Sequence, residues 1–501
     1  MVDMPRHDRG WVRTSDAPDK PAPGNVAGPM GWISDNLVPT WWHGLLSIAG
    51  FLFLAWVAWG VIEWGILKAA WTGEDREACM ASVEGACWAY VGAKFHQFMY
   101  GFYPFSQRWR VDIVYVIGLA ALVPMLIPSL PYKRENALFL LIVYPLIVLI
   151  LLTGGDFDIS LAVFMFVATL VGIAAVALPI ASQGIEAAVR NDRLPLMLAA
   201  GGLVLWVVSW FVPPMWISIG FTTVPVLRLV VFVLFAAAAA LSIAVTASRG
   251  GPGSRSAIAS WVIVAVAAFA TLGLLSVDFG LSTVRTDQWG GLMVTLVVAI
   301  TGIVVSLPLG ILLALGRRSD MPIVRLLSVI FIEIWRGVPL ITVLFMSSVM
   351  LPLFLPEGVT FDKLLRALIG VALFASAYMA EVIRGGLQAI PKGQYEAASA
   401  LGLSYWRSML LIVLPQALKI VIPGIVNTFI GLFKDTTLVS IIGIFDLLGI
   451  VNASFADPNW ASPQTAPTGY FFAALVFWIF CFAMSRYSIF MEDRLHTGHK
   501  R

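Results

Sequence analysis

Apolar residues fall in long runs along this chain, and polar residues gather in the short stretches between them. Runs long enough to cross a hydrocarbon core of about 30 Å occupy Trp42 to Ala70, Ile113 to Leu130, Ala137 to Leu152 and Ile159 to Ala181. Three more lie near 194 to 213, 224 to 247 and 256 to 276. Five follow: Gly290 to Leu315, a long segment from Val324 to Leu355, Leu364 to Val382, Leu410 to Leu432 and Tyr470 to Ile489. The pattern predicts an all-α polytopic membrane protein with about twelve transmembrane helices.

Composition sharpens that picture. Apolar residues make up 59% of the 501 and charged residues 12%, against about 25% charged in soluble proteins, and the mean hydropathy is +0.88. A net charge of +3 points neither to nucleic acid nor to an acidic substrate, so the placement of charge matters more than its sum. With the N-terminus inside, the inner loops hold Lys133-Arg134, Arg190 with Arg193, Arg249 with Arg255, Arg317-Arg318, and Arg384 to Arg407. The outer loops hold Asp156 and Asp158, the uncharged 212–225, and Asp278 with Asp287 against Arg285. The loop from Glu74 to Arg110 is basic, and long loops translocate largely regardless of charge. Both termini are therefore expected in the cytoplasm. Residues 1–43, polar and rich in Pro, Gly and Asp, are expected to form a disordered cytoplasmic tail.

The first outer loop, 72–110, follows the first of the N-terminal helices (44–153) and holds Cys79 and Cys87; Cys481 lies in the last apolar run. A disulfide between the loop cysteines and two unpaired thiols are both open at this level. Aromatics crowd the loop's end, from Trp88 and Tyr90 through Phe95, Phe98, Tyr100, Phe102, Tyr103, Phe105 and Trp109. Rings at that density suit an interfacial helix on the outer leaflet or a lip that receives a soluble protein.

Between the runs near 364–382 and 410–432, Pro391 suits a first helical position with about three turns over Lys392 to Leu401, Gly402 suits a left-handed helix end, and Ser404 suits the cap of a second helix running into Leu414-Pro415. Two short helices at an angle are expected there, on the inner side. The spacing of Glu396-Ala397-Ala398, Gly402, Ile412 and Leu414-Pro415 resembles the signature of bacterial ABC importer permeases. The resemblance extends through Gly290-Gly291-Leu292 with Thr295-Leu296, Arg336-Gly337-Val338-Pro339-Leu340, the stretch from Ala380 to Gln394, and Lys434 to Ser440, which look like the polar amino-acid subgroup. Residues Gly85 to Phe105 are similar to the longer permease subunit of general L-amino-acid importers. It implies a type I permease core over 286–492, formed by the last five helices, in the bacterial inner membrane. Glu396, Ala397, Ala398, Gly402, Leu414 and Pro415 would couple it to an ATPase. One departure from the family pattern is the distance from Gly154-Gly155 to the core, which leaves 154–280 as an inserted segment of four helices.

The phosphate-binding loop GxxxxGK[ST] is absent, since no lysine is followed by Ser or Thr. The resemblance therefore implies a cytoplasmic ABC ATPase dimer that binds ATP and Mg, a second permease subunit in a heterodimer, and a periplasmic amino-acid-binding protein. No metal and no catalytic site is expected in this chain.

Substrate-site candidates are Lys434, Asp435, Thr436 and Thr437, with Asn427 and Thr428 one to two turns earlier. Asp435 or Thr436 would cap a half-helix from Thr437 to Leu448 whose amides face a substrate carboxylate, with Asp435 holding the ammonium. The alternative is a Lys434–Asp435 ion pair at the outer end of the span. Glu333 with Arg336 and Glu381 with Arg384, each at i and i+3, are expected to pair as gate locks or as membrane-end salt bridges. An ion-coupled secondary amino-acid transporter is the alternative function. It calls for midplane acidic or histidine relays, whereas His7, His43, His96, His496 and His499 all lie at tail, edges or terminus.

Overall fold

The computed structural model describes residues 29–495 apart from 82–83, 128, 156, 158–160, 184–191, 210, 213–214, 220–221, 351–352 and 354–361. The first 28 residues of the expected tail, Asp156, Asp158, Arg190, His496 and His499 lie outside the described residues. Residues Pro29–Asn36, expected within that tail, form a helix.

Ten helices among the described residues are long and apolar enough to cross a membrane, or eleven if one bent pair counts as a span. The expected count of about twelve is not reached, because the run at 194–213 yields a helix of only 16 residues, Arg193–Val208. The uncharged 212–225 contains two paired antiparallel strands, in which Trp216 faces Pro225 and Ile219 faces Thr222.

The chain divides into two compact units, residues 1–93 with 457–469 and residues 94–456 with 470–501. In the first, α1 (Trp41–Ile62) is followed by a π-turn over Glu63–Leu67. Cys79 and Cys87 are joined in a disulfide with Cα atoms 5.3 Å apart, and both are fully buried. Beside it Lys68 is held by Glu84 and by Glu63 at 2.9 Å. Those two carboxylates, Glu84 first, push the Lys68 ammonium above its ordinary range.

In the second unit come α2 (Arg108–Leu126) and α3 (Tyr144–Thr153). Phe98 and Tyr103 are buried, whereas Phe95, Phe102, Phe105 and Trp109 are exposed, so the aromatic segment is part core and part surface. The segment 154–280, expected as an insert of four helices, holds α4 (Leu161–Val176), α5 (Arg193–Val208), α6 (Val226–Arg249) and α7 (Pro252–Leu275), with a short helix Leu178–Gln183 after α4. Phe235 on α6 lies where Gly172 and Gly202 leave room for it, and Trp261 on α7 donates to the Val171 carbonyl at 3.0 Å. The ends of this segment meet: Val284 N–H bonds to Thr153 O at 2.9 Å and Phe157 N–H to Leu275 O at 3.0 Å.

Beyond it lie α8 (Gly291–Arg317), α9 (Pro322–Gly337), α10 (Leu340–Phe345) and α11 (Lys363–Ala389). The expected long span Val324 to Leu355 is instead bent by 102° between α9 and α10. Its cause is local: Pro339 restricts Val338 to extended geometry (φ −108°, ψ 133°) and so ends the helix. Buried Gly302, Ser306, Gly310 and Ala314 repeat every fourth residue on α8. A methyl added to Gly310 would meet Met379 at 2.7 Å and the Ala380 backbone at 3.1 Å, so small residues let α8 and α11 approach closely. The last elements are α12 (Lys392–Ala400), α13 (Leu414–Ile420), α14 (Ile422–Asp435), α15 (Leu447–Ser454) and α16 (Thr465–Leu495). The run expected at Leu410 to Leu432 is displaced, because a break at Val421 starts the spanning helix at Ile422, and it continues to Ile442.

Candidate functional site

Two short helices joined at Gly402 follow α11. Ile390 is extended, Pro391 takes the cap position one residue earlier than expected, and α12 begins at Lys392. At its other end Gly402 has φ +70°, Gly402 N–H bonds to Ser399 O at 2.9 Å and Leu403 N–H to Ala398 O at 3.1 Å. Those two bonds and the left-handed glycine satisfy the carbonyls that a helix end leaves open. Ser404 occupies the next cap position with its carbonyl, which accepts from Ser408 N–H at 2.8 Å, while its side chain makes no cap bond. A π-turn over Met409–Val413 then leads into Leu414-Pro415.

Glu396 and Ala397 are exposed, while Ala398 is fully buried. Leu401 (74% exposed) and Trp406 (57%) add apolar surface to that side. A small side chain at 398 thus seats the helix, and Glu396 and Ala397 face outward. Leu414 is buried and Pro415 exposed.

The element is tied to the bundle by side chains that the sequence pattern did not single out. Arg318, just past α8, donates to Tyr395 Oη at 3.0 Å and to Leu387 O at 3.2 Å. Tyr395 donates in turn to Leu387 O at 3.3 Å, and Gln416 on α13 donates to Gln394 at 3.0 Å. Two clefts flank this joint, of about 370 and 490 Å³, sharing Arg318 and Tyr395 in their walls.

One turn further in, Glu381 is a hub. Its Oε1 accepts from Arg317 at 2.8 Å and its Oε2 from Arg384 at 2.7 Å, with Arg336 at 3.8 Å. The expected Glu381–Arg384 pair forms. The expected Glu333–Arg336 pair does not, because Glu333 bonds to Arg317 at 2.9 Å and Arg336 turns toward Glu381 and the Tyr378 ring. Arg317 was legible in the sequence only as half of a basic doublet.

The segment after α14 differs from expectation. Thr436–Ile442 is a 3₁₀ continuation of α14, ended by Gly443 in the left-handed region, and neither Asp435 nor Thr436 caps a new helix. Thr436 and Thr437 donate back to Phe433 O (2.7 Å) and Lys434 O (2.9 Å), as Thr428 does to Gly424 O (2.9 Å). Their hydroxyls are engaged within their own helix. Lys434 and Asn427 are exposed and Asp435 is half-buried. Among the described residues no Lys434–Asp435 ion pair forms.

The capping carboxylate is Asp446, which the sequence pattern missed. It is fully buried and accepts from Gly449 N–H at 2.9 Å and Leu448 N–H at 3.2 Å at the start of α15. Burial raises its carboxyl to about 6, against the pull of those backbone bonds. Thr295 accepts from Leu447 N–H at 3.0 Å, and Gly291 N–H bonds to Phe445 O at 2.9 Å. Gly101 is so close to this crossing that a methyl on it would lie 2.3 Å from the Gly290 Cα. The Gly-Gly and Thr positions near 290–295 are thereby accounted for as a backbone crossing.

A family model described as "Binding-protein-dependent transport system inner membrane component" matches residues 306–496. The chain is 42% identical over 482 residues to the inner membrane amino-acid ABC transporter permease protein YhdY of Escherichia coli (strain K12), covering 96% of this chain and 97% of that one. It is 40% identical over 503 residues to the glutamate/glutamine/aspartate/asparagine transport system permease protein BztC of Rhodobacter capsulatus, covering 98% and 100%. Both alignments take in the segment 154–280. A solved structure titled as an amino acid ABC transporter with histidines is 28% identical over 41% of this chain and 92% of that chain, with a TM-score of 0.36.

Proposed function

This chain belongs to the amino-acid ABC transporter permeases of the binding-protein-dependent family, and from that premise we propose how it is driven and what it carries. It is a multi-pass inner-membrane permease subunit of an ABC importer, and the ion-coupled alternative is set aside by relatives that match nearly end to end. Energy enters from a cytoplasmic ABC ATPase dimer that holds ATP and Mg. The element around Gly402 is its dock, with Glu396 and Ala397 in the contact, buried Ala398 seating the helix behind them, and Leu414-Pro415 anchoring the exit.

The observation that carries this reading is the outward face of α12. A rigid, doubly closed helix end presents Glu396, Ala397 and Leu401 to solvent, in a chain with no phosphate-binding loop of its own. Both termini lie in the cytoplasm, the loop at 72–110 faces a periplasmic amino-acid-binding protein, and a second permease subunit completes the pore.

The cargo is polar L-amino acids, the class to which those in the name of the Rhodobacter relative belong. Asp435, Thr436, Thr437, Lys434, Asn427 and Thr428 line its path; with the three hydroxyls turned into the helix, Asp435 and Lys434 supply the charge contacts. Glu333, Arg336, Glu381 and Arg384 hold the inner gate. Reconstitution with its ATPase in proteoliposomes tests the reading: uptake must require internal ATP and survive collapse of ion gradients. Uptake driven by an ion gradient alone would overturn it.

A further inference from the structure

Arg317 and Arg318 are neighbours at the end of α8 but serve different partners. Arg317 donates to Glu333 and Glu381, joining the inner ends of α8, α9 and α11. Arg318 grips Tyr395 on α12, with its guanidinium carbon 5.5 Å from the ring centre and a hydrogen bond to the hydroxyl. It also reaches the Leu387 carbonyl, one of the last four of α11, which have no partner within their own helix. The covalent chain attaches α12 only to α11 and, through 401–413, to α13. Arg318 adds a third attachment, to a helix end 77 residues away in sequence.

We propose that the Arg318–Tyr395 joint makes the end of α8 follow α12 when the ATPase moves it, and that Arg317 passes this displacement to the Glu381 hub. Arg318 and Tyr395 are positioning residues. Both bonds leave one nitrogen, Nη1, whose two N–H groups are fixed in the guanidinium plane, so the Tyr395 oxygen and the Leu387 carbonyl are held at once while the plane lies against the ring. The hub suits it because three arginines share two carboxylates, and moving Arg317 redistributes Arg336 and Arg384 around Glu381. Two adjacent side chains on one rigid helix end thus connect a docking surface to an ion cluster that holds three helices, a contiguous physical link between two sites.

The inference rests on the proposed ATPase partnership. Its test uses the full assembly in lipid nanodiscs and proteoliposomes, with three readouts: co-purification of the ATPase, ATP hydrolysis, and amino-acid uptake per ATP hydrolysed. R318Q is expected to retain the ATPase and to lower uptake per ATP roughly fivefold or more, the range of ordinary coupling energies. Y395F keeps the ring and loses only the hydroxyl; it should fall in the same direction, and the R318Q/Y395F pair should be no worse than R318Q, since one joint is being broken. R318K, which keeps the charge without the planar group that faces the Tyr395 ring, should not restore coupling. Unchanged uptake per ATP in R318Q and Y395F would overturn the joint, as would a loss of uptake fully explained by lost ATPase binding. If the wild-type chain itself neither retains an ATPase nor transports with ATP, the partnership fails and the joint with it.

Discussion

The backbone N–H of Val284 bonds to the carbonyl of Thr153 at 2.9 Å, so the chain leaves the frame at 154 and returns beside the same point. Arg110, fully buried on α2, clasps the returning segment by donating to the Ser282 carbonyl at 2.8 Å and hydroxyl at 3.1 Å. A segment whose ends touch can be removed without moving its flanks. Joining Phe157 to Ser276 through a few Gly and Ser residues should leave a chain that inserts, runs as a single species on size exclusion, and still takes up amino acid. Degradation of the shortened chain would show that the insert supports the core.

Gly402 has open space around it and a φ of +70°, so substitution there meets backbone strain without a clash. A β-branched residue in that region costs about 1–2 kcal/mol, whereas Asn tolerates it. G402V should weaken ATPase retention about five- to thirtyfold, and G402N should stay near wild type. Equal behaviour of the two in a pull-down would assign the effect to something other than backbone geometry.

At Gly101 the constraint is reversed. Its φ is +67° and its neighbour is the Gly290 backbone, which cannot swing aside as a side chain can. G101A should cost about 3–5 kcal/mol, visible as a large fall in thermal stability in detergent. G431A, with nothing near the added methyl, is the control and should unfold like wild type.

Asp446 makes stability depend on pH with a definite sign. Its folded carboxyl titrates near 6, above the 3.8 of a free Asp side chain. The folded state therefore holds this proton more tightly, and its contribution is greatest below about pH 4, falls as pH rises to about 6, and is flat above. The span corresponds to about 3 kcal/mol. D446N keeps an oxygen for Gly449 and should flatten that slope between pH 4.5 and 7.5 in thermal unfolding. The same slope in both proteins would exclude Asp446 as its source.

The disulfide closes a short loop in the first unit, worth about 2–3 kcal/mol by loop entropy. Unreduced, unfolded protein should present one reactive thiol, Cys481. C79S/C87S should increase proteolysis within 68–93 and leave the core helices protected. Three thiols in the unreduced protein would contradict the bond.

Local signals were legible where geometry is local. Gly402 stands in the left-handed region because a helix end depends on a few adjacent residues, whereas Ala398, expected among the ATPase-coupling positions, is buried against the bundle, which only the packing of α12 decides. The bend at Val338-Pro339 was missed because a proline between two apolar stretches reads as one long span. The half-helix expected after Asp435 failed for a related reason: Thr436 and Thr437 could equally cap a new helix or bond back into the old one. The Glu381 hub and the Arg318–Tyr395 joint were out of reach, since each depends on which helix ends are neighbours, and an i, i+3 spacing cannot exclude the competing partner that Arg317 proved to be for Glu333.

α8 and α11 approach closely where Gly302 faces Val371 and Gly310 faces Met379 and the Ala380 backbone, all of them buried, so little free space is left between the two backbones. Long side chains would act as a cushion, absorbing a push by changing rotamer. Glycine hydrogens have no rotamers to spend, the Val371 and Met379 side chains packed against them are buried, and close-packed interiors transmit strain. The pair should therefore tilt as one stiff beam, so that a displacement applied at its Arg317 end arrives at its Thr295 end nearly undiminished.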